Sequence, residues 1–129
     1  MTFADLLGSH RVVPVVVLDE VEGVDGLGRA LVTGGLPVAE VTLRSQGASS
    51  VLEALAARGD LLVGAGTVVS AEQVDLAADA GARFVVSPGV SASVVRRCQE
   101  RDVPVVPGVS TATEIIAALD LGLDTVKLF

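Results

Sequence analysis

The fold this sequence predicts is a parallel α/β barrel, and three observations predict it. Six short, valine-rich apolar runs begin at residues 12, 37, 61, 83, 104 and 125. Each run is continuously apolar, as strands buried on both faces of a parallel sheet are. The segments between them have helical spacing, with start and stop residues typical of helices, so one β/α unit recurs about every 22 residues. A repeat this regular, with few insertions, favours a (β/α)8 TIM barrel over an open doubly wound sheet. Eight strands close such a barrel. The chain supplies about six strands and five helices, so the expectation is a single domain, residues 1–129, forming the N-terminal three-quarters of a barrel and truncated after its sixth strand.

The elements follow in order. The first strand is VVPVVVL from Val12, and the helix after it ends at Gly34-Gly35. PVAEVTL from Pro37 is the second strand. In the next helix Val51, Leu52 and Leu55 share an apolar side, and Gly59 marks its end. LLVGAGTV from Leu61 is the third strand. Ser70 and Gln73 then stand at capping-box spacing, Val74, Leu76 and Ala77 form the apolar side, and Gly81 stops the helix. RFVVSPG from Arg83 and PVVPGVS from Pro104 are strands four and five, and SPGVSAS and VPGVSTAT echo each other one unit apart. Thr111 and Glu114 open the last helix, Ile115, Ile116 and Leu119 make it amphipathic, and Gly122 ends it before the sixth strand, TVKLF from Thr125.

Composition narrows the function. Of 129 residues half are hydrophobic, enough to bury a core. Sixteen acids against nine bases give a net charge of −7, and with three Phe and no Trp or Tyr this argues against nucleic acid as a partner. No apolar stretch approaches the ~20 residues of a membrane helix. The start MTFADLLGSHR lacks the basic and apolar regions of a signal peptide, so a cytoplasmic location is expected. Cys98, the one cysteine, precludes an internal disulfide and reads as a plain thiol on a helix. His10 reads as structural or solvent-facing.

Chemistry in a parallel barrel gathers at the C-terminal ends of the strands. Period-two alternation puts Val38, Glu40, Thr42 and Arg44 on one face of strand two, with Ala39, Val41 and Leu43 on the other. The second set is purely apolar and suits packing against helices, so the first points into the barrel. Thr67 closes GAGT on the face of Val63 and Ala65. In strand six, Lys127, the only lysine of the chain, shares a face with Thr125 and Phe129. Glu40, Thr42, Arg44, Thr67 and Lys127 are therefore expected to converge. A lysine enclosed among apolar groups near a cation is a nucleophile toward carbonyls. Arginine's planar fork suits a substrate carboxylate, and a nearby carboxylate moves protons. The alternatives at this point are an ion pair between Glu40 and Lys127 that only fixes packing, a solvated strand end at Arg44, and a GAGT that is only a tight turn. As a phosphate loop GAGTVVS is weak, since it lacks the third glycine of a dinucleotide fingerprint.

Together, PVAEVTLRS with Glu40, GAGTV with Thr67, FVVSPGV with Pro88, VPGVSTATE, and VKLF with Lys127 resemble the 2-keto-3-deoxy-6-phosphogluconate aldolase / 4-hydroxy-2-oxoglutarate aldolase family. The resemblance runs from Val12 to the last residue, with the motifs in the family's order. Leu18-Asp19, where the related phosphogalactonate aldolases typically have arginine, favours the phosphogluconate branch. The resemblance implies a class I aldolase on a (β/α)8 barrel that needs no metal or organic cofactor. It makes Lys127 the Schiff-base residue and Glu40 the proton acceptor and donor, with Arg44, Thr67 and Pro88 lining the pyruvate site. It also implies a keto-acid substrate and a homotrimer. The phosphate site of such barrels is commonly built from loops after strands seven and eight, so a chain of these residues alone is expected to be weakly active or inactive. The rival readings are a lysine that holds pyridoxal phosphate and a non-catalytic homologue acting as a binding or assembly module.

Overall fold

A computed structural model describes all of residues 1–129. It contains strands β1 (Val15–Val16), β2 (Val38–Thr42), β3 (Leu62–Gly66), β4 (Val85–Ser87), β5 (Val105–Val109) and β6 (Lys127–Leu128). The helices are α1 (Phe3–Leu7), α2 (Val24–Thr33), α3 (Ala48–Ala57), α4 (Ala71–Asp79), α5 (Ala92–Glu100) and α6 (Ala112–Asp120). The strands pair in chain order, β1 to β6, and every pairing is parallel. A doubly wound sheet would reverse strand order at a switch point; no reversal occurs. All six strands fall within the six apolar runs.

Alternation divides the sheet's residues into two packing layers. Ala39, Val41, Val63, Ala65, Val85 and Val105 face outward and join Val51, Leu52, Leu55, Val74, Val94, Val95 and Cys98 of the helices in the main core. Val38, Phe84 and Val86 face inward and form a second cluster. Phe3, Leu6 and Leu7 pack against that inner cluster, with the Phe3 and Phe84 rings edge-on at a centroid distance of 5.2 Å. Helix α1 thus closes the barrel at the end where the strands begin. This helix is an addition to the five expected. Its signal is the Thr2–Asp5 pair, which forms a full capping box. Opposite Phe84 stands Gly64, where an added Cβ would overlap the ring.

Two helical stripes differ from expectation. Leu76 is 48% exposed, because it lies two positions from Val74 and so on the far side of α4. Ile115, Ile116 and Leu119 are all exposed, and α6 buries only Ala118; helix α6 packs on β5, and no element of this chain covers its outer side. The caps do form. Thr111 and Glu114 make a complete capping box, whereas Gln73 reaches past Ser70 to accept from the Val69 amide. Burial raises the Cys98 thiol to about 12, which suits an unreactive core position. No helix is long and apolar enough to cross a membrane.

After α2, α3, α4 and α6 the chain turns through a left-handed glycine: Gly35, Gly59, Gly81 and Gly122. After α5 the same role falls to Asp102, at φ 53°. A residue with a Cβ is strained in that region. Asp102→Gly is therefore expected to raise stability by about 0.5–1 kcal/mol, read as a higher denaturant midpoint at unchanged slope. A lower midpoint would contradict this assignment of strain.

An ion-pair network joins α4 to α5. Arg97 donates to both oxygens of Asp75 at 2.9 and 3.1 Å, and Arg101 donates to the same carboxylate at 2.9 Å. The hydrogen bond from Arg97, then the charges of Arg97 and Arg101, hold the Asp75 carboxyl below its usual value. A depressed carboxylate contributes stability above its unfolded value, near 3.8, and loses it as pH falls through the folded one. The stability gap between wild type and Asp75→Asn should thus be widest near neutrality and should close in strong acid. Urea midpoints across that range measure it, and a gap independent of pH would contradict it.

Candidate active site

The site is built where β2, β3, β4 and β6 end. Every residue of β2 is buried. Glu40 sits at its centre at 7% exposure and is the one buried charged side chain in the molecule. It faces inward because Ala39 and Val41 face the helices. Thr42, two residues on, donates to the Val16 carbonyl at 3.3 Å and ties β1 to β2. Arg44 follows at the exposed end of the run and takes part in none of the chain's ion pairs.

Thr67 reaches the same place by a route that alternation does not describe. Val63 and Ala65 pack outward against helices, so strict alternation would send Thr67 outward with them. Its backbone lies at φ 58°, in the left-handed region. That turn re-aims the residue toward the cavity. The inward positions of β3 are instead Gly64 and Gly66. From β4, Ser87 is buried, and its hydroxyl donates to the Gly89 carbonyl at 2.9 Å, which holds the SPG turn and leaves Pro88 at the rim. In β6, Lys127 pairs with Gly108 of β5. It is half-buried, and its Nζ lies 4.2 Å from the centroid of the Phe129 ring.

These side chains enclose a cavity of about 120 Å³, several times what one water needs. All five expected residues, Glu40, Arg44, Thr67, Pro88 and Lys127, line it. Thr42 and Ser87 add hydroxyls, and Val15, Val86 and Phe129 supply apolar wall. Neither His10 nor Cys98 takes part. A larger hollow, about 210 Å³, lies at the opposite end beside Phe3 and Val105, and its only charged side chain is Asp124. The charges therefore gather in the smaller space. Ser87 was not foreseen, although the serine before the Pro-Gly pair, a residue type that bonds its own turn, was its signal. In the sequence Gly66 reads only as part of the GAGT turn.

Burial dominates the electrostatics of Glu40 and raises its carboxyl above the usual value, with the positive charges of Lys127 and Arg44 opposing that rise. Neither cation forms a salt bridge with it. Contrast the outer surface, where Arg29, Arg58, Arg97 and Arg101 are all paired. A packing ion pair between Glu40 and Lys127 would need contact, and there is none. The arrangement is an amine, a guanidinium and an acid with a raised proton affinity, none neutralised by another, around a space for a small molecule. Such a set can bind a carboxylate, add an amine to a carbonyl and move protons.

Comparison with known proteins gives a consistent result. A family model described as KDPG and KHG aldolase matches residues 4–129. A 2-dehydro-3-deoxy-phosphogluconate aldolase of Treponema pallidum (strain Nichols) is 45% identical over 130 residues, covering 100% of this chain and 62% of that protein. A KHG/KDPG aldolase of Escherichia coli (strain K12) is 38% identical, over 96% of this chain and 59% of its own. The chain thus spans about three-fifths of the length of the curated relatives it matches. Among solved structures, KDPG aldolase from Legionella pneumophila, with pyruvate captured at low pH as a covalent carbinolamine intermediate, aligns at 39% identity and a TM-score of 0.86. That alignment covers 91% of this chain and 57% of that one.

Proposed function

Because the chain belongs to the KDPG and KHG aldolase family, we propose that its cavity carries out class I aldolase chemistry on a keto acid, with Lys127 as the Schiff-base residue. The observation that carries this reading is the grouping of the one buried carboxylate with two cations that have no ion-pair partner in a single small cavity. Covalent capture of pyruvate by the Legionella pneumophila relative supports the same class of intermediate.

The steps follow from the residues. Arg44, with Thr67 and the Pro88 turn, holds the substrate carboxylate. The Lys127 amine adds to the C2 ketone, and loss of water leaves a protonated imine. Glu40, acting through a water, takes the proton of the C4 hydroxyl. The C3–C4 bond breaks, its electron pair flows into the imine to give an enamine, and the aldehyde leaves. Glu40 then returns a proton to C3, and hydrolysis frees pyruvate and the amine. The face of the Phe129 ring, 4.2 Å from Nζ, lies where the positive charge of the protonated imine forms. Dividing the reaction through a covalent adduct lowers the barrier to carbon–carbon cleavage. A carboxyl whose proton affinity is raised by burial holds and returns a proton more readily than an exposed glutamate does.

The substrates proposed are 2-keto-3-deoxy-6-phosphogluconate, giving pyruvate and glyceraldehyde 3-phosphate, and 4-hydroxy-2-oxoglutarate, giving pyruvate and glyoxylate. A homotrimer in the cytoplasm completes the proposal. The half-reaction with pyruvate uses only groups in this cavity and provides the test. In heavy water the protein should exchange the methyl protons of pyruvate, followed by NMR, and EDTA should leave the rate unchanged. Exchange abolished by EDTA, or none above the buffer rate, would oppose the proposal.

A further inference from the structure

We infer that Gly66 is a positioning residue for Glu40: its missing side chain is the seat of the carboxylate, and any larger residue there displaces the acid while leaving the Lys127 amine in place. The inference rests on the aldolase reading above and adds a determinant of it. Glu40 is paired in register with Gly64, yet its side chain runs one step toward the mouth of the barrel and lies against Gly66. A Cβ built on Gly66 would overlap Glu40 Oε1, and it would stand 2.7 Å from Cδ and 2.9 Å from Cγ. Turning the carboxylate alone does not relieve this, because the stem is too close as well. The whole side chain must move, by roughly 1 Å or more, a misplacement that costs on the order of 100-fold in a positioned reaction.

The nearest obstacle to a side chain at Gly66 is Glu40 itself. The φ of Gly66 is not in the left-handed region, and the three atoms nearest its added Cβ all belong to Glu40. The backbone of β3 can therefore accept alanine, and its hydrogen bond from the Leu43 amide to the Gly66 carbonyl, 2.9 Å, is untouched. Gly64 is different, since a Cβ there meets the ring of Phe84 in the inner core. Of the two inward glycines of β3, one serves packing and the other serves the acid.

The test is a double-mutant cycle on the 129-residue protein with pyruvate as the probe. Two readouts are used: methyl exchange into heavy water, which needs the acid in place, and borohydride capture at Lys127, which reports the amine. Gly66→Ala should lower exchange about 100-fold, shift its pH profile, and leave the pyruvate concentration for half-maximal capture within about threefold. Glu40→Asp removes the two closest overlaps, at Oε1 and Cδ, and leaves its carboxyl carbon at the Cγ position, 2.9 Å from the added Cβ. With only the mildest of the three overlaps left, Gly66→Ala should cost far less exchange in the Glu40→Asp background than in the wild type, the non-additivity expected of residues in contact. Additive losses, or capture and exchange falling together with a loss of thermal stability, would make Gly66 merely structural and overturn the inference. Neither exchange nor capture in the wild-type protein would instead overturn the aldolase reading itself, and the inference with it.

Discussion

Replacement of Lys127 by alanine should reduce pyruvate exchange on the order of 10⁴-fold or more, because it removes the nucleophile and with it the covalent route. Arginine at the same position keeps the positive charge but offers no amine that adds to ketones, so Lys127→Arg should fail nearly as completely. That second variant separates nucleophile from counter-charge. If Lys127 merely balanced Glu40, arginine would restore activity. Lys127 is half-buried and opens a two-residue strand, so neither change is expected to disturb the fold, and the circular dichroism of both should match the wild type. Exchange persisting in either variant would move the chemistry to another residue.

Glu40→Gln should slow exchange by about 10²–10⁴-fold, the usual contribution of a positioned acid–base group, while pyruvate is still captured at Lys127. The pH dependence carries a second expectation. Burial raises the carboxyl of Glu40 above its ordinary value near 4.5, so the acid limb of the wild-type rate should lie higher than for an exposed glutamate, and Glu40→Gln should lack it. Stability moves the opposite way. In the window between the ordinary and raised values the folded protein binds more protons than the unfolded chain, so wild-type stability falls as pH rises through it. Glutamine carries no such penalty. Glu40→Gln should therefore be more stable than wild type near neutrality and converge with it in acid, where both carry an uncharged side chain. A variant that was both slower and less stable at neutral pH would show Glu40 acting as a structural anchor.

Much of this architecture is legible in the sequence because it repeats. The valine runs fix the strands, since continuous apolarity over a few residues has one stable home, a parallel sheet covered on both faces. The apolar set Ala39, Val41 and Leu43 leaves Glu40 and Arg44 no direction but inward, and Lys127 converges on them. Four features were not legible, each for a physical reason. Alternation assumes an unbroken extended backbone, and the left-handed turn at Thr67 breaks it. Helix α1 is only five residues long, too short for an apolar period to stand out, and its capping pair was its one trace. The exposure of Ile115, Ile116 and Leu119 depends on what packs over α6, which periodicity within a helix does not encode. The seat that Gly66 provides for Glu40 was hidden for a similar reason: a glycine in a turn motif and a glycine that makes room for another strand's side chain look the same in one dimension.

Peptide mapping after borohydride treatment in the presence of pyruvate tests the central claim most directly, because the protein has one lysine and so only two amines, Nζ of Lys127 and the N-terminus. The account predicts a single reduced three-carbon adduct on Lys127, saturable in pyruvate and suppressed by other small keto acids. An adduct confined to Met1, or a protein that emerges unmodified, would contradict it.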